Sequence, residues 1–585
     1  MSKIIYVCYK NPKLGDAIES SIHRIFDRIT PNNITPAPTK IEKRDGIIYG
    51  IFNPVNVIKE ENGSVLLGGI FGDMANWWSP KVALPDGSYA IFRSDDHFVE
   101  VAADVSGSRS IWYYKDEEIF VASTSQRAIV AIIGKFQLNK NVLPWILSTG
   151  SLGPANSWDS RIKLLTPDSS ILLTRNSWEL EETLNTITFI PPILPEAEQE
   201  KLLLNAFLHT FTRLNIDLKK WVLPLSGGYD SRGILCLLHK IGAKLTDLTA
   251  VTWGLNSSLD QKGNDAYVAT KLAAFYKMPH KYYSTDLTEE PIEEVLNRFI
   301  ICGEGRIDHI GGYLDGFRIW KNLFEDNVQG VLRGDVCFNT KLAISVDYVR
   351  SSNGSTPCSK YSNLKDYEAY GIPKQEIPDN LNQKEGESLE DFRDRMYLEF
   401  RIPIVMAALN DLKLSYVEIL NPLLSKQVLQ QNGQMSDHLR THKRLWKKIV
   451  DSLSPSIEYA DKGANAKRQG IMQSTSFAAI LRKELTSSTA TALFSNEFIS
   501  KVLANLKSED KNTKIKKSFK QRIIRYVPLW FLKNKAVVGA PDAKVDYNVL
   551  AFRIYIAIKM FGFLTDDGKI IESEIAKSAK TEKVL

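Results

Sequence analysis

The chain has 585 residues, 44% hydrophobic and 24% charged, with a net charge of +6, which is ordinary globular material long enough for two to four domains of roughly 100–200 residues each. Its five cysteines (Cys8, Cys236, Cys302, Cys337, Cys358) are odd in number and show no C-x-x-C spacing, which excludes a disulfide framework or zinc knuckle and fits a reducing, cytoplasmic compartment. The charge is too mild to argue for a nucleic-acid partner, and no stretch approaches the roughly 20 apolar residues of a membrane span, so no transmembrane segment is expected.

The first apolar run, Ile4-Ile5-Tyr6-Val7-Cys8-Tyr9, stops at Lys10 and is too short for a signal h-region. Residues 1–190 read as strands: short runs of Val, Ile, Tyr and Phe alternate with turns such as Asn62-Gly63, Pro85-Asp86-Gly87 and Ser106-Gly107. A β-rich α+β domain is expected. Pro191, Pro192 and Pro195 then predict a stiff linker.

A second domain is expected over residues 200–480, and from about 200 to 340 it alternates between helix and strand patterns. Leu202–Leu214 is periodic, Trp221–Leu225 extended, Gly233–Ile241 helical and Leu245–Trp253 extended, which predicts an α/β domain with a parallel sheet. Within it, residues 350–395 are rich in Ser, Asn, Lys and Glu and predict a long mobile excursion. Residues 481–585 read as a helical, basic C-terminal extension. There Lys511, Lys514, Lys516, Lys517, Lys520, Arg522 and Arg525 crowd one segment while Ile515, Phe519 and Ile523 recur every fourth residue. That pattern suits a basic-faced surface helix, or at 511–525 an anionic partner or membrane surface.

The chemistry concentrates in Ser226-Gly227-Gly228-Tyr229-Asp230-Ser231, between the extended Trp221–Leu225 and a helical run. Paired glycines let the backbone approach an anion, a helix start offers free N–H groups, and two serine hydroxyls add donors, so the loop reads as a phosphate cradle. An aspartate beside phosphates calls for a metal, and Mg2+ is implied. Leu225 and the strand end Val251-Thr252-Trp253 are placed where a nucleobase would lie, since ligands of open α/β sheets sit beyond the carboxyl ends of strands. Glu304, in Gly303-Glu304-Gly305, is a candidate to orient or deprotonate an amine; His280 and His309 have no partner pattern that singles them out.

The Ser-Gly-Gly-x-Asp-Ser string, the following Asp265-Ala266-Tyr267-Val268-Ala269, the later Val331-Leu332-Arg333-Gly334-Asp335, the segment Val417-Glu418-Ile419-Leu420-Asn421-Pro422 and the region from Lys443 to Lys462 stand in the order found in the asparagine-synthetase-like enzymes, which this chain resembles over residues 200–480. The resemblance implies a pyrophosphatase-type nucleotide loop that binds ATP and Mg2+. Asp230 and Asp335 would be the metal ligands, Ser226, Gly227, Gly228 and Ser231 would hold the leaving pyrophosphate, and Lys462, supported by Lys443 or Arg440, would face the developing charge. Val336 stands where the family usually has an acid, and the arginine that often precedes the late lysine is missing.

Residues 1–190 resemble the glutaminase half of the same enzymes through Asp86-Gly87-Ser88-Tyr89-Ala90, Asp104-Val105-Ser106-Gly107-Ser108-Arg109 and Ala122-Ser123-Thr124. The family nucleophile is a cysteine directly after the initiator methionine, and here that position is Ser2. Cys8 lies inside a strand-like run and reads as a packing thiol. The resemblance therefore implies a degenerate, glutaminase-like β-rich sandwich followed by a synthetase domain that adenylates a carboxylate and passes the acyl group to an amine without glutamine hydrolysis, as in lasso-peptide cyclases and β-lactam synthetases. A small molecule, a sugar acid or a peptide remain open as substrate, and a nucleotide-binding pseudoenzyme is the alternative from another class.

Overall fold

The computed structural model describes residues 2–54, 57–154, 156–190, 194–464, 472–508 and 543–582. Pro191, Pro192 and the basic segment 511–525 lie outside them.

The N-terminal part folds as two antiparallel six-stranded sheets. One runs in the order β10 (Lys163–Leu164), β8 (Trp112–Lys115), β9 (Ile119–Ser123), β1 (Lys3–Tyr9), β3 (Ile47–Phe52), β2 (Lys40–Arg44). The other runs β12 (Glu179–Leu184), β11 (Ser169–Thr174), β7 (Phe98–Ala103), β6 (Gly87–Ser94), β5 (Ser64–Ile70), β4 (Lys59–Glu61). The first strand is buried at every position and apolar from Ile4 to Tyr9 because both its faces are covered. Ile4, Tyr6 and Cys8 enter the core shared with Val65, Leu67 and Phe92 of the second sheet. Ile5 and Val7 point the other way, toward Ile22, Ile25 and Phe26 of α1 (Pro12–Ile29) and Ile129 of α2 (Gln126–Ile133). Cys8 is thus a packing residue, its thiol pushed up to about 11 by burial.

The second part carries a five-stranded parallel sheet in the order β15 (His280–Ser284), β14 (Thr249–Gly254), β13 (Trp221–Pro224), β16 (Gly330–Leu332), β17 (Glu418–Leu420). Helices α4 (Glu196–Thr212), α5 (Tyr229–Lys240) and α6 (Asp265–Phe275) pack around it through Phe207, Leu235, Leu238 and Val268. The chain is therefore an α+β antiparallel domain followed by an α/β domain, as the alternation of patterns predicts.

Three expectations need correction. Residues 350–395 are not a free excursion. Cys358, Leu364, Tyr367, Ile372, Leu381 and Phe392 are buried, and Gln375 donates to Ser148 Oγ (3.2 Å) in the helix Val142–Thr149. The segment Tyr547–Lys577 is long and apolar enough to cross a membrane, where no such stretch was expected. Within the fold its helix Tyr547–Asp567 is instead a core element, burying Leu550, Phe552, Ile554, Ile556 and Met560. Nor is the C-terminal region an appendage. Asp567 accepts from Arg28 (2.5 Å) and Arg127 (2.7 Å), and Arg553 donates to Asp308 (2.6 Å) and to the carbonyls of Leu147 and Ser148, which locks the last helices onto the N-terminal domain.

Candidate functional site

The strand, glycine turn and helix fall where the sequence puts them. Leu225 N–H donates to Val251 O (2.8 Å), and Thr252 Oγ1 donates to Leu225 O (2.7 Å), so Leu225, Val251 and Thr252 are clasped together at the carboxyl ends of β13 and β14. With its one proton so used, Thr252 accepts from His280 Nε2 (2.9 Å), which assigns the imidazole proton to Nε2. Burial pushes the His280 pKa down, so the ring stays neutral.

Ser226 N–H donates to Ser231 Oγ (3.0 Å), and Gly228 N–H donates to Ser226 Oγ (3.2 Å), which curls the turn around its own hydroxyls. Gly228 caps α5 without any side-chain acceptor, so no side chain caps the N–H groups of the first turn, which is the donor set a helix start offers to an anion. A side chain at Gly227 would bring its Cβ to 2.4 Å from Ala460 Cβ, and Gly227 N–H donates to Asp265 Oδ1 (3.0 Å). The loop is therefore pressed between α6 and the segment around Ala460.

The residue before Asp335 packs against Asp230. A Cβ on Gly334 would lie 3.2 Å from Ser231 N and 3.3 Å from Asp230 Cβ, so the turn after β16 rests on the start of α5. Each carboxylate is balanced by a cation: Lys443 Nζ donates to Asp230 Oδ2 (2.5 Å) and Arg333 donates to Asp335 Oδ1 (3.1 Å). Trp446 Nε1 holds the other Asp230 oxygen (3.0 Å). Lys443 reaches the loop through a strained turn, since His442 and Lys443 both have φ of 58°, a left-handed geometry that costs of order 1–3 kcal/mol per non-glycine residue. Arg440 does not join them. It is fully buried and bound to Asp391 (2.6 Å), Asp394 (3.2 Å) and Asp437.

The late segment is docked by a residue that the sequence reading passed over. Arg232, on α5 immediately after the loop and fully buried, donates to Ile457 O (2.8 Å), Glu458 O (2.7 Å) and Ser454 Oγ (3.2 Å), and its guanidinium lies 3.8 Å over the Tyr459 ring. Tyr459 in turn stacks on Tyr229 (4.0 Å). Ala460 N–H then bonds Gly227 O (3.1 Å), Asp461 N–H bonds Gly263 O (2.9 Å), and Lys462 O accepts from Asp265 N–H (3.0 Å). Lys462 is exposed beside the loop, and its ammonium has no partner among the described residues. The sequence offers only the position of Arg232 at the head of the apolar run Gly233–Leu238; the carbonyls it serves lie more than 220 residues away.

Glu304 is not brought to the loop. It is 3% exposed at the seam with the N-terminal domain, where its carboxylate accepts from Ser125 Oγ, Gln126 N–H (2.8 Å) and Lys3 Nζ (3.3 Å), and its carbonyl accepts from Trp158 Nε1 (2.9 Å). Every acceptor it owns serves the interface. Ser2 is equally closed off, fully buried with its hydroxyl on Asn53 O (2.8 Å). Arg109 donates to Ser2 O (2.9 Å) and to Glu418 of β17 (2.5 Å). On the outer side of α5 an open groove of about 920 Å³ is lined by Tyr229, Glu390, His438, His442, Lys447 and Asp451 among others.

The site thus lies at the carboxyl ends of a parallel sheet, where the first strand-to-helix turn leaves the start of α5 without a side-chain cap. No family model matches the sequence, and no curated protein matches it. Among solved structures, it is similar to the U34-tRNA thiolase NcsA from Methanococcus maripaludis with its iron–sulfur cluster, at 14% identity and a TM-score of 0.19 over 44% of this chain and 81% of that one. It is similar also to the glutamine phosphoribosylpyrophosphate amidotransferase from B. subtilis complexed with ADP and GMP, at 8% identity and a TM-score of 0.19 over 48% of this chain and 65% of that one. Both likenesses are too remote to bear on function.

Proposed function

We propose that the chain is an ATP-dependent carbon–nitrogen ligase that adenylates a carboxylate and transfers the acyl group to an amine, without hydrolysing glutamine. The observation that carries the reading is the convergence of three segments on one corner: the uncapped start of α5 with Asp230, the turn bearing Asp335, and the docked segment bearing Lys462.

The donor set fits a magnesium nucleotide. Among the described residues no group of three or more His, Cys, Asp or Glu could hold a metal, and Mg2+ takes one or two carboxylates together with phosphate oxygens rather than a protein cage. Asp230 and Asp335 are those carboxylates, and bound Mg2+ would neutralise charge on the phosphates. Lys443 and Arg333, which balance the two aspartates in the protein alone, are then free to turn toward phosphate oxygens, and Lys462 meets the leaving pyrophosphate. Leu225, Val251 and Thr252 form the floor for the base. The buried Ser2 supports an amine that arrives with the substrate, whether that substrate is a peptide closed on itself or a sugar or amino acid joined to a second molecule.

The test is pyrophosphate release from ATP and Mg2+ across pools of amino acids, sugar acids and peptides, comparing wild type with Asp230→Ala. Release triggered by one pool and lost by at least about 1,000-fold in the variant is expected for a group facing phosphoryl charge. Nucleotide binding without release in any pool would instead favour the pseudoenzyme, a reading to which the internally balanced Asp230 and Asp335 lend some support.

A further inference from the structure

Lys413 ends the helix Ala407–Leu414, five residues before β17, and is 6% exposed. Among the described residues its ammonium makes no hydrogen bond and no ion pair; it lies 5.7 Å over the Trp320 ring. Trp320 packs edge-on against Trp253 (5.8 Å), which stands at the carboxyl end of β14. The charged groups that Lys413 senses are Arg333 and Asp335, just past the carboxyl end of β16, and Asp411, which is already bound to Arg306. Lys413 therefore lies toward the ligand edge of the sheet, near the Arg333 and Asp335 pair, with Trp320 against it and Trp253 against Trp320.

A buried ammonium without a partner is costly, and an apolar side chain of the same length would pack as well. Burial, with Arg333 beside it, pushes the Lys413 pKa well below the usual lysine range, so an arriving anion would restore its charge and gain a charge-assisted bond. Arg333 has one such anion in Asp335, and Lys413 has none.

We propose that Lys413, with Arg333 beside it and the Trp320 ring against it, forms the subsite that receives the carboxylate of the molecule to be adenylated. The inference rests on the ligase reading and deepens it. It places the acid-bearing substrate at the face of the sheet that carries Trp253 and Trp320, with the phosphates at the start of α5 on the opposite face. Lys413 is a binding residue here and takes part in no bond that forms or breaks.

Two measurements test it. In the first, pyrophosphate release by wild type, Lys413→Met and Lys413→Arg is followed against the concentration of the responding carboxylate and, separately, of ATP. Lys413→Met should raise the carboxylate KM by about 10- to 100-fold, or about 1.4–2.8 kcal/mol at 1.4 per decade, with the KM for ATP within about twofold; Lys413→Arg should recover part of the loss. An unchanged carboxylate KM, or a loss that falls on ATP, overturns the proposal. In the second, wild type and Lys413→Met are titrated calorimetrically with aspartate, glucuronate and an acetylated dipeptide, and with pyrophosphate as the control anion. Binding of one carboxylate probe that disappears in the variant, with pyrophosphate binding intact, upholds the subsite; absence of binding in both proteins, or loss of pyrophosphate instead, sinks it. If wild type releases no pyrophosphate with any pool the ligase reading fails, and the calorimetry then decides Lys413 independently. Lys413→Met should fold, because it replaces a partnerless buried charge with an apolar side chain; Lys413→Gln serves if it does not.

Discussion

Replacing Arg232 by leucine should detach the late segment from the nucleotide loop while leaving the domain folded. The guanidinium makes two short bonds to carbonyls, at 2.8 and 2.7 Å, and stacks on Tyr459. Charge-assisted bonds of this kind contribute about 1.5–3 kcal/mol each and a desolvated cation–π contact about 1–2 kcal/mol, of which leucine returns part through packing. A net local loss of about 3–5 kcal/mol is expected, which at 1.4 kcal/mol per decade is roughly a 100- to 3,000-fold faster opening. The amides of Ala460 and Asp461 are the natural reporters, because they bond Gly227 O and Gly263 O across the dock. Hydrogen exchange followed by mass spectrometry should show that acceleration in peptides covering 457–462, with peptides from β13 and β14 unchanged. Pyrophosphate release should fall in step, since Lys462 loses its fixed position. Unchanged protection at 460 and 461 would refute the clamp and leave Arg232 as a packing residue.

Other consequences follow from the seam between the domains. Ser2→Cys should release no glutamate from glutamine above background, because residue 2 is fully buried and covered by Arg109 and Asn53; measurable release would show that the pocket opens. Glu304→Ala strands Lys3 and the donors of Ser125 and Gln126, a buried-pair break that should cost about 3–5 kcal/mol and appear as lowered resistance to thermal inactivation. Burial pushes the Asp308 carboxyl up, yet Arg553 and His309 outweigh it and hold the pKa below the usual range. A folded pKa below the unfolded value of about 3.9 means that this contribution is complete above that pH and lost as pH falls through the folded value. Docking of the helix Tyr547–Asp567 should therefore loosen only below about pH 4, and Asp308→Asn should flatten that acid limb in a fluorescence titration.

What the sequence disclosed was local. A strand, two glycines with flanking hydroxyls and a helix start are determined by neighbouring residues, so Ser226–Ser231 and α5 fall where expected, and the turn chemistry of residues 1–190 marks an antiparallel domain. Glu304 shows the opposite case. Between two glycines it looks like a solvated loop carboxylate, and only donors 178 to 301 positions away bury it. Residues 350–395 are polar on average, but their apolar side chains are spaced singly and join one common core, a pattern without a period to detect. In Tyr547–Asp567 the charges of Arg553 and Lys559 mask the apolar run, although each finds a carboxylate, Asp308 and Glu484, once the helix is docked. Arg232, Arg333 and Lys413 are cations whose meaning depends on which carbonyl or carboxylate lies opposite, and the sequence does not carry that information.

The N-terminal sandwich has a structural task even if it does no chemistry. β17 is the outermost strand of the parallel sheet, and an open edge invites pairing with other chains. Here the sandwich covers it: Gly69 of β5 is small enough for Leu420 to approach, with a Cβ placed there only 3.0 Å from Leu420 Cδ2. Asn421 N–H donates to Ser88 Oγ (3.0 Å), and Lys426 N–H donates to Asp86 Oδ1 (2.8 Å). Ion pairs buried in such a seam add little net stability over apolar contacts, but they penalise any shifted arrangement severely. Arg109 to Glu418 and Lys3 to Glu304 therefore fix register more than they bind. That register reaches the site, because Leu420 O accepts Arg333 N–H (2.8 Å) and Arg333 aims Asp335. The residues that resemble a glutaminase pocket thus hold the edge of the sheet on which the second aspartate depends.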